Sequence, residues 1–201
     1  KPFLNTIITI DGPAGSGKTS AAKRVAKKLG YFYVDTGAMY RMLAYKIWKK
    51  NIEIGNIREI KKILSNTKIY LKNGNLYLDG KKVNSMIRKP VISKIASKIA
   101  SYPEIRKSLI KIQRKSGEKG KVVMEGRDIG TVIFPDAKFK FFLDATIEER
   151  ARRRYLQFKK QNQKVLLYKL EKEITQRDRR DRIRKYSPLK KAKDALYINS
   201  S

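Results

Sequence analysis

Ile7-Ile8-Thr9-Ile10-Asp11-Gly12-Pro13-Ala14-Gly15-Ser16-Gly17-Lys18-Thr19 decides the fold. A short β-branched run leads directly into G-x-x-x-x-G-K-T, which after a strand and before a helix reads as a phosphate-binding loop. Backbone N–H groups must turn inward around phosphate oxygens, so the loop needs residues free of a Cβ, and Gly12, Gly15 and Gly17 supply them. Lys18 puts a point charge between the β- and γ-phosphates, and the Thr19 hydroxyl is a ligand for the Mg²⁺ that travels with a nucleotide. Pro13, Ala14 and Ser16 complete the set of donor-binding residues. Downstream, Ala21, Ala22, Val25, Ala26 and Leu29 recur at helical spacing and stop at Gly30, which predicts a helix with its N-terminus aimed at the phosphates.

Composition narrows the chemistry. The 201 residues suffice for one α/β core with a small insertion. The chain has no cysteine and no histidine, so disulfides, thiolate catalysis, Cys/His metal sites and an imidazole base are all excluded. Phosphoryl transfer survives this filter, because it relies on positioning and on cations that neutralise developing charge. The apolar N-terminal run is short and enters the phosphate loop, so it reads as a core strand and not as a signal peptide, and no stretch approaches membrane-spanning length. A cytoplasmic protein without a membrane partner is expected.

The formal net charge of +31 has an uneven texture. Of the 49 cations 33 are Lys, spread along the chain, which fits a solvated surface better than a nucleic-acid stripe, so no specific nucleic-acid partner is expected. Arginine is concentrated: nine of 16 fall between Arg150 and Arg184, where only five Lys occur. Guanidinium grips phosphate bidentately and keeps its proton, whereas an ammonium is a compact point charge. This segment is the candidate transition-state clamp.

Strand and helix signals alternate. Phe3–Ile10 and Tyr31–Val34 read as strands, and Asp35-Thr36-Gly37 opens a helix with Met39, Met42, Leu43 and Ile47 on its apolar face. A helix near Ile57–Leu64 follows. The period then changes to two through Lys68–Lys72, Asn75–Leu78 and Lys81–Val83, with hairpin turns at Asn73-Gly74 and Asp79-Gly80. This antiparallel piece interrupts an α/β pattern and reads as an insertion. Ile92, Ile95 and Ile99, then Ile105, Leu109 and Ile112, mark two helices parted at Tyr102-Pro103. Val122–Met124 and Phe139–Leu143 are buried strands, Thr146-Ile147-Glu148-Glu149 is a capping box, and Ala195–Ile198 is the last strand.

Three blocks of residues carry a resemblance. The first runs from Ile8 to Arg41 and includes Asp35-Thr36-Gly37-Ala38-Met39-Tyr40-Arg41. The second is Glu125-Gly126-Arg127-Asp128-Ile129-Gly130-Thr131 with Phe134-Pro135-Asp136-Ala137. The third is Arg177-Asp178-Arg179-Arg180-Asp181-Arg182 with Ser187-Pro188-Leu189 and Ala192-Lys193-Asp194-Ala195. Together they resemble the bacterial cytidylate kinases over nearly the whole chain.

The resemblance implies a three-layer P-loop kinase fold with a five-stranded parallel sheet, a monophosphate-binding insertion over about 56–103 and a short mobile lid over about 150–177, all in one domain of 1–201. It implies transfer of the γ-phosphoryl of ATP to CMP or dCMP with Mg²⁺, by a monomer. Arg41, Arg127 and Arg184 match positions that hold the acceptor phosphate, and three converging cations suit a dianion. Thr36 matches a hydroxyl position beside the acceptor and also reads as a helix cap. Arg106 and Asp128 match positions that read the cytosine edge, with Ser97 assisting, and Arg177 and Asp181 match the sugar-recognition pair. Catalytic roles fall to Lys18, Arg127, Arg184 and a lid arginine. Arg150, Arg153 and Arg154 are the lid candidates, of which Arg154 is preferred. Glu125 occupies an acidic metal position, beside Thr19, where many members have Asp; the longer side chain keeps the charge and alters the reach.

The family usually continues into a further helix after the position of Ser201. Two other readings compete: a monophosphate kinase selective for UMP or AMP, and a nucleic-acid-binding protein that uses its basic surface.

Overall fold

A computed structural model describes residues 6–72, 75–160 and 162–201. The chain divides into two compact units, Lys1–Phe32 with Gly120–Ser201, and Tyr33–Lys119. Phe3, Leu4 and Asn5 of the predicted first strand, and the predicted Asn73-Gly74 turn, lie outside the described residues.

The first unit is organised by β1 (Ile7–Asp11), all five residues of which are buried. It pairs in parallel with β6 (Val122–Gly126) on one side and β7 (Phe139–Asp144) on the other. A strand buried on both faces favours β-branched residues on either side, which is why Ile7, Ile8 and Ile10 are interrupted only by the equally buried, β-branched Thr9. The five-stranded sheet has the order β2-β6-β1-β7-β8, with β2 at Phe32–Asp35 and β8 at Leu196–Asn199. The chain leaves β1 toward β2 on one side, while β7 lies on the other, so the switch in strand order falls at the carboxyl end of β1. That is where open parallel sheets bind ligands.

Helix α1 (Lys18–Leu29) starts at Gly17 and ends at Gly30, both in the left-handed region at φ 85° and 67°. Gly30 leaves the helix as the sequence predicts, and Tyr31 N–H donates back to Ala26 O at 2.8 Å. Helices α6 (Ile147–Lys160) and α7 (Leu167–Ile183) pack through Ala151, Leu170 and Ile174, with Ile147, Tyr155 and Phe158 around them.

The second unit holds α2 (Thr36–Lys49), α3 (Ile57–Ser65), an antiparallel sheet of β3 (Ile69–Lys72), β4 (Asn75–Leu78) and β5 (Lys81–Lys82), and helices α4 (Pro90–Ile99) and α5 (Pro103–Gly117). Its core contains Met39, Met42, Leu43, Ile47, Ile60, Ile87, Ile92, Ile99, Ile105 and Leu109. Asp79 and Gly80 both have positive φ, 50° and 82°, the two-residue turn that matches the twist of flanking strands. Pro90 and Pro103 open their helices, where a missing N–H costs nothing.

Several boundaries and caps differ from the sequence reading. Strand β6 runs two residues further, to Gly126, because its ladder with β1 continues to the pair Asp11↔Gly126. Strands β2 and β8 shift by one residue; Phe32 N–H bonds Lys121 O, which starts β2 there. The cap of α2 is Asp35, whose carboxylate accepts from Ala38 N–H at 2.8 Å, and not Thr36, which is the first helical residue. Only half of the predicted capping box forms. Thr146 Oγ1 accepts from Glu149 N–H, but the Glu149 carboxylate binds Arg152 and Arg153, and Thr146 N–H donates to Ser201 Oγ. A π-helical turn over Ile129–Ile133 has no counterpart in the sequence reading. Among the described residues no helix is long and apolar enough to cross a membrane.

Met124, at the centre of β6, is fully buried. Met124→Ala is expected to cost about 2–5 kcal/mol through lost burial and a residual cavity, measured as the urea unfolding midpoint at constant slope.

Candidate active site

The phosphate loop closes against the sheet. Gly12 has φ 145°, and a Cβ there would lie 2.0 Å from Leu143 O, so no other residue fits between β1 and β7. Ser16 Oγ donates to Pro13 O at 3.1 Å, and Ser200 Oγ donates to Ser16 O at 2.9 Å. Lys18 is buried, with its ammonium folded back onto Pro13 O and Ser16 Oγ. Burial, followed by the nearby Arg127, pushes its pKa down to about 7, while Glu125 and Asp11 oppose the shift.

At the end of β6, Glu125 is buried and accepts a hydrogen bond from Thr19 Oγ1 at 3.1 Å. A hydroxyl and a carboxylate side by side are hard oxygen donors that suit Mg²⁺. No group of three or more metal-ligating acidic, His or Cys side chains exists among the described residues. An ion here would therefore take most of its ligands from phosphates and water, as Mg²⁺ does in nucleotide sites.

Asp11, the last residue of β1, accepts from Ile129 N–H and Gly130 N–H at 2.8 and 2.7 Å. Burial raises its pKa to about 7, against those two hydrogen bonds. The carboxylate thereby fixes the turn that follows Arg127 and the buried Asp128. On α7, Asp181 accepts from Arg127 Nε at 3.1 Å and lies 3.6 Å from Arg184 Nη1. Burial acts to raise the Asp181 pKa, yet Arg127, Arg177 and Arg184 together outweigh it and hold the carboxyl below its usual range. Lys18, Arg127, Arg177, Arg184, Glu125 and Asp181 thus form one electrostatic cluster around the loop.

The second unit carries its own polar group. Arg41 Nη2 meets Asp35 Oδ2 at 2.6 Å, and the Cβ of any residue replacing Gly37 would press on both at 3.1 Å. Thr36 is buried beside them in sequence. Arg106, 3% exposed, lies with its guanidinium 5.5 Å from the centre of the Tyr40 ring and donates to Ala100 O at 3.1 Å. Ser97 Oγ is buried and has no hydrogen-bond partner among the described residues. A buried orphan hydroxyl is costly unless something outside the chain satisfies it.

Comparison with known proteins agrees with this geometry. The family model described as cytidylate kinase matches residues 8–201. A protein named cytidylate kinase from Caldanaerobacter subterraneus subsp. tengcongensis is 46% identical over 198 residues, covering 98% of this chain and 88% of that protein. One of the same name from Clostridioides difficile is 44% identical over 197 residues, covering 98% and 91%. Another, from Clostridium tetani, is 46% identical over 198 residues, covering 98% and 88%.

The chain belongs to the cytidylate kinase family.

In this cytidylate kinase family member, Gly12 to Thr19, Glu125, Arg127, Arg177, Asp181 and Arg184 come together within the first unit, whereas Thr36, Arg41, Ser97 and Arg106 lie in the second. The three lid candidates separate. Arg150 is buried and ion-paired to Asp178 at 2.6 Å. Arg153 is held by Glu149 and by Ser200. Arg154 places its guanidinium over the Phe158 ring at 5.2 Å and is attracted by Glu173. Sequence reasoning missed Asp11 and Asp178. An acid at the end of a β-branched, buried strand was a usable signal for Asp11, whereas Asp178 was hidden in a run of alternating charges that looks solvated.

The position of Lys18 has a pH signature. The native ammonium gives up its proton near pH 7, whereas the unfolded chain keeps it to about 10.5. Its burial cost is therefore full below pH 7 and is relieved as the pH rises through that window. Without nucleotide, Lys18→Met is expected to unfold at a higher temperature than the parent at pH 6, with the gap narrowing toward pH 10, as followed by scanning calorimetry.

Proposed function

We propose that the chain transfers the γ-phosphoryl group of ATP to CMP or dCMP, giving ADP and the diphosphate. The observation that carries this reading is the cluster of Lys18, Arg127, Arg177 and Arg184 around a phosphate loop at the switch point of a parallel sheet, in a chain of this family. An acceptor phosphate oxygen is already an oxyanion. It attacks the γ-phosphorus, the bond to the β–γ bridging oxygen breaks, and no proton has to be removed, so a chain without histidine lacks nothing for this reaction.

Each residue has a role that its chemistry supports. The loop N–H groups and Lys18 bind the donor phosphates. Thr19 and Glu125 would hold Mg²⁺, which would supply positive charge to the donor phosphates. Arg127, Arg184 and Arg41 hold the acceptor phosphate, and Asp181 keeps the first two extended and ready until it arrives. Arg154, the lid arginine whose guanidinium lies on the Phe158 ring, is the one suited to reach the transferring group, and residues 150–177 move as the lid. Thr36 lies beside the acceptor. Residues 56–103 form the monophosphate-binding insertion. Asp128 accepts from the cytosine amine, Arg106 donates to the ring carbonyl, Ser97 completes that edge, and Arg177 with Asp181 engages the sugar. The reaction needs no nucleic acid, membrane or second copy of the chain, and a cytoplasmic setting provides both substrates.

A coupled ADP-release assay against CMP, dCMP, UMP and AMP tests the reading, with CMP and dCMP expected to dominate. Comparable kcat/KM for AMP would overturn it. Asp128→Ala should shrink discrimination against UMP and leave the CMP to dCMP ratio nearly constant, because only the base edge loses an acceptor. Asp181→Ala should instead change the CMP to dCMP ratio, by roughly 1–3 kcal/mol for one charged hydrogen bond. Identical specificity profiles for the two variants would show that one carboxylate is misassigned.

A further inference from the structure

Arg150 stands in the segment expected to close over the substrates, yet its side chain is 3% exposed and fully engaged. Its Nη2 meets Asp178 Oδ2 at 2.6 Å, its Nε donates to Ala145 O at 2.9 Å and its Nη1 donates to Ala14 O at 3.2 Å. One guanidinium therefore ties helix α7, the turn after β7 and the phosphate loop together. The carbon stem also takes part: a Cβ placed on Gly15 would meet Arg150 Cβ at 3.2 Å. Asp178 is committed to this arrangement. Its Oδ1 is buried and accepts no hydrogen bond among the described residues, so Arg150 is the cation that balances it.

The contact with Ala14 O has a consequence for phosphate binding. A trans peptide is planar, with its C=O and the following N–H pointing in opposite directions. Holding Ala14 O on the Arg150 side therefore turns the Gly15 N–H away from Arg150, toward the side that phosphate oxygens occupy in such loops. Gly15 has φ 83°, a region in which the peptide has no neighbouring side chain to hold it, so an external anchor decides its orientation.

We propose that Arg150 and Asp178 form a latch that orients the Ala14–Gly15 peptide, and are positioning residues for the donor phosphates. The latch acts through the backbone and touches neither the transferring group nor the base of the donor. It rests on the assignment of the loop to the donor nucleotide, but not on the identity of the acceptor.

Asp178→Asn keeps the shape of the acid and removes its charge. Arg150→Lys keeps the charge but cannot reach Asp178, Ala145 and Ala14 together. Both leave a polar group at each site, which guards against simple failure to fold. The binding constant of ATP is measured by calorimetry, and that of inorganic tripolyphosphate by its competition with ATP, so that surface binding to a basic protein does not contribute. Both ligands are expected to bind about tenfold more weakly to each variant, as loss of one charged hydrogen bond implies, with KM for CMP within twofold of the parent. ATP weakened with tripolyphosphate unchanged would mean that Arg150 serves the base, and would overturn the latch. So would equal losses for ATP and CMP, or a lower melting temperature with all affinities preserved. A parent protein that binds ATP and tripolyphosphate but does not phosphorylate CMP would overturn the acceptor assignment and leave the latch standing.

Discussion

The parallel pairing of β1 with β6 and β7 is the constraint on which the first unit depends. Five consecutive buried residues pair with β6, and four of them with β7, so the carboxyl ends of the three strands lie side by side. Their ends carry Asp11-Gly12, Glu125-Gly126-Arg127 and Leu143-Asp144. The register, not any attraction between the polar groups, brings a phosphate loop beside an acid and an arginine that lie more than a hundred residues away. Gly12 shows how tight the arrangement is, since Leu143 O occupies the space a side chain would need. A slip of one residue would turn every side chain of β1 to the opposite face and dissolve the site.

Such a site is costly before substrate arrives. Four cations lie close enough to one another to disturb each other, and the protein contains their repulsion in two ways. Lys18 is buried where its proton is weakly held and its ammonium lies on loop oxygens. Arg127 and Arg184 share Asp181, an internal anion that faces both guanidinium groups. Because guanidinium stays charged, the second solution keeps those side chains aligned at any working pH.

Much of this could be read in the residues themselves. The loop, the Gly30 helix end, the Asp79-Gly80 hairpin and the proline helix starts are local features, set by a few neighbours and by backbone geometry, and they stand where the sequence puts them. The missed features are nonlocal. Asp11 bonds backbone groups 118 and 119 residues away, and no pattern of neighbours announces that. Arg150 and Asp178 look like two members of a charged surface until α6 and α7 pack and bury them. The half-formed capping box has a local origin: Glu149 fits the motif, but Arg152 and Arg153, three and four residues on, are better partners than a neutral N–H. Strand ends were misjudged where a ladder carries polar residues such as Glu125, because hydrophobicity stops before hydrogen bonding does.

The contrast between the two basic residue types follows from the same geometry. Of the lysines described, only Lys18 and Lys140 are buried; nearly all the others are exposed. Arg127, Arg150, Arg153 and Arg184 each bind two or three groups at once, through nitrogens fixed in one plane. An ammonium rotating on a flexible stem can satisfy one such group well but cannot hold three at fixed angles. A chain that uses lysine freely on its surface keeps arginine where direction matters as well as charge. The surface charge acts with less precision, since it raises the local concentration of anionic ligands and speeds their approach, an effect that salt screens. Affinity and orientation fall to the few planar cations inside, which salt screens far less.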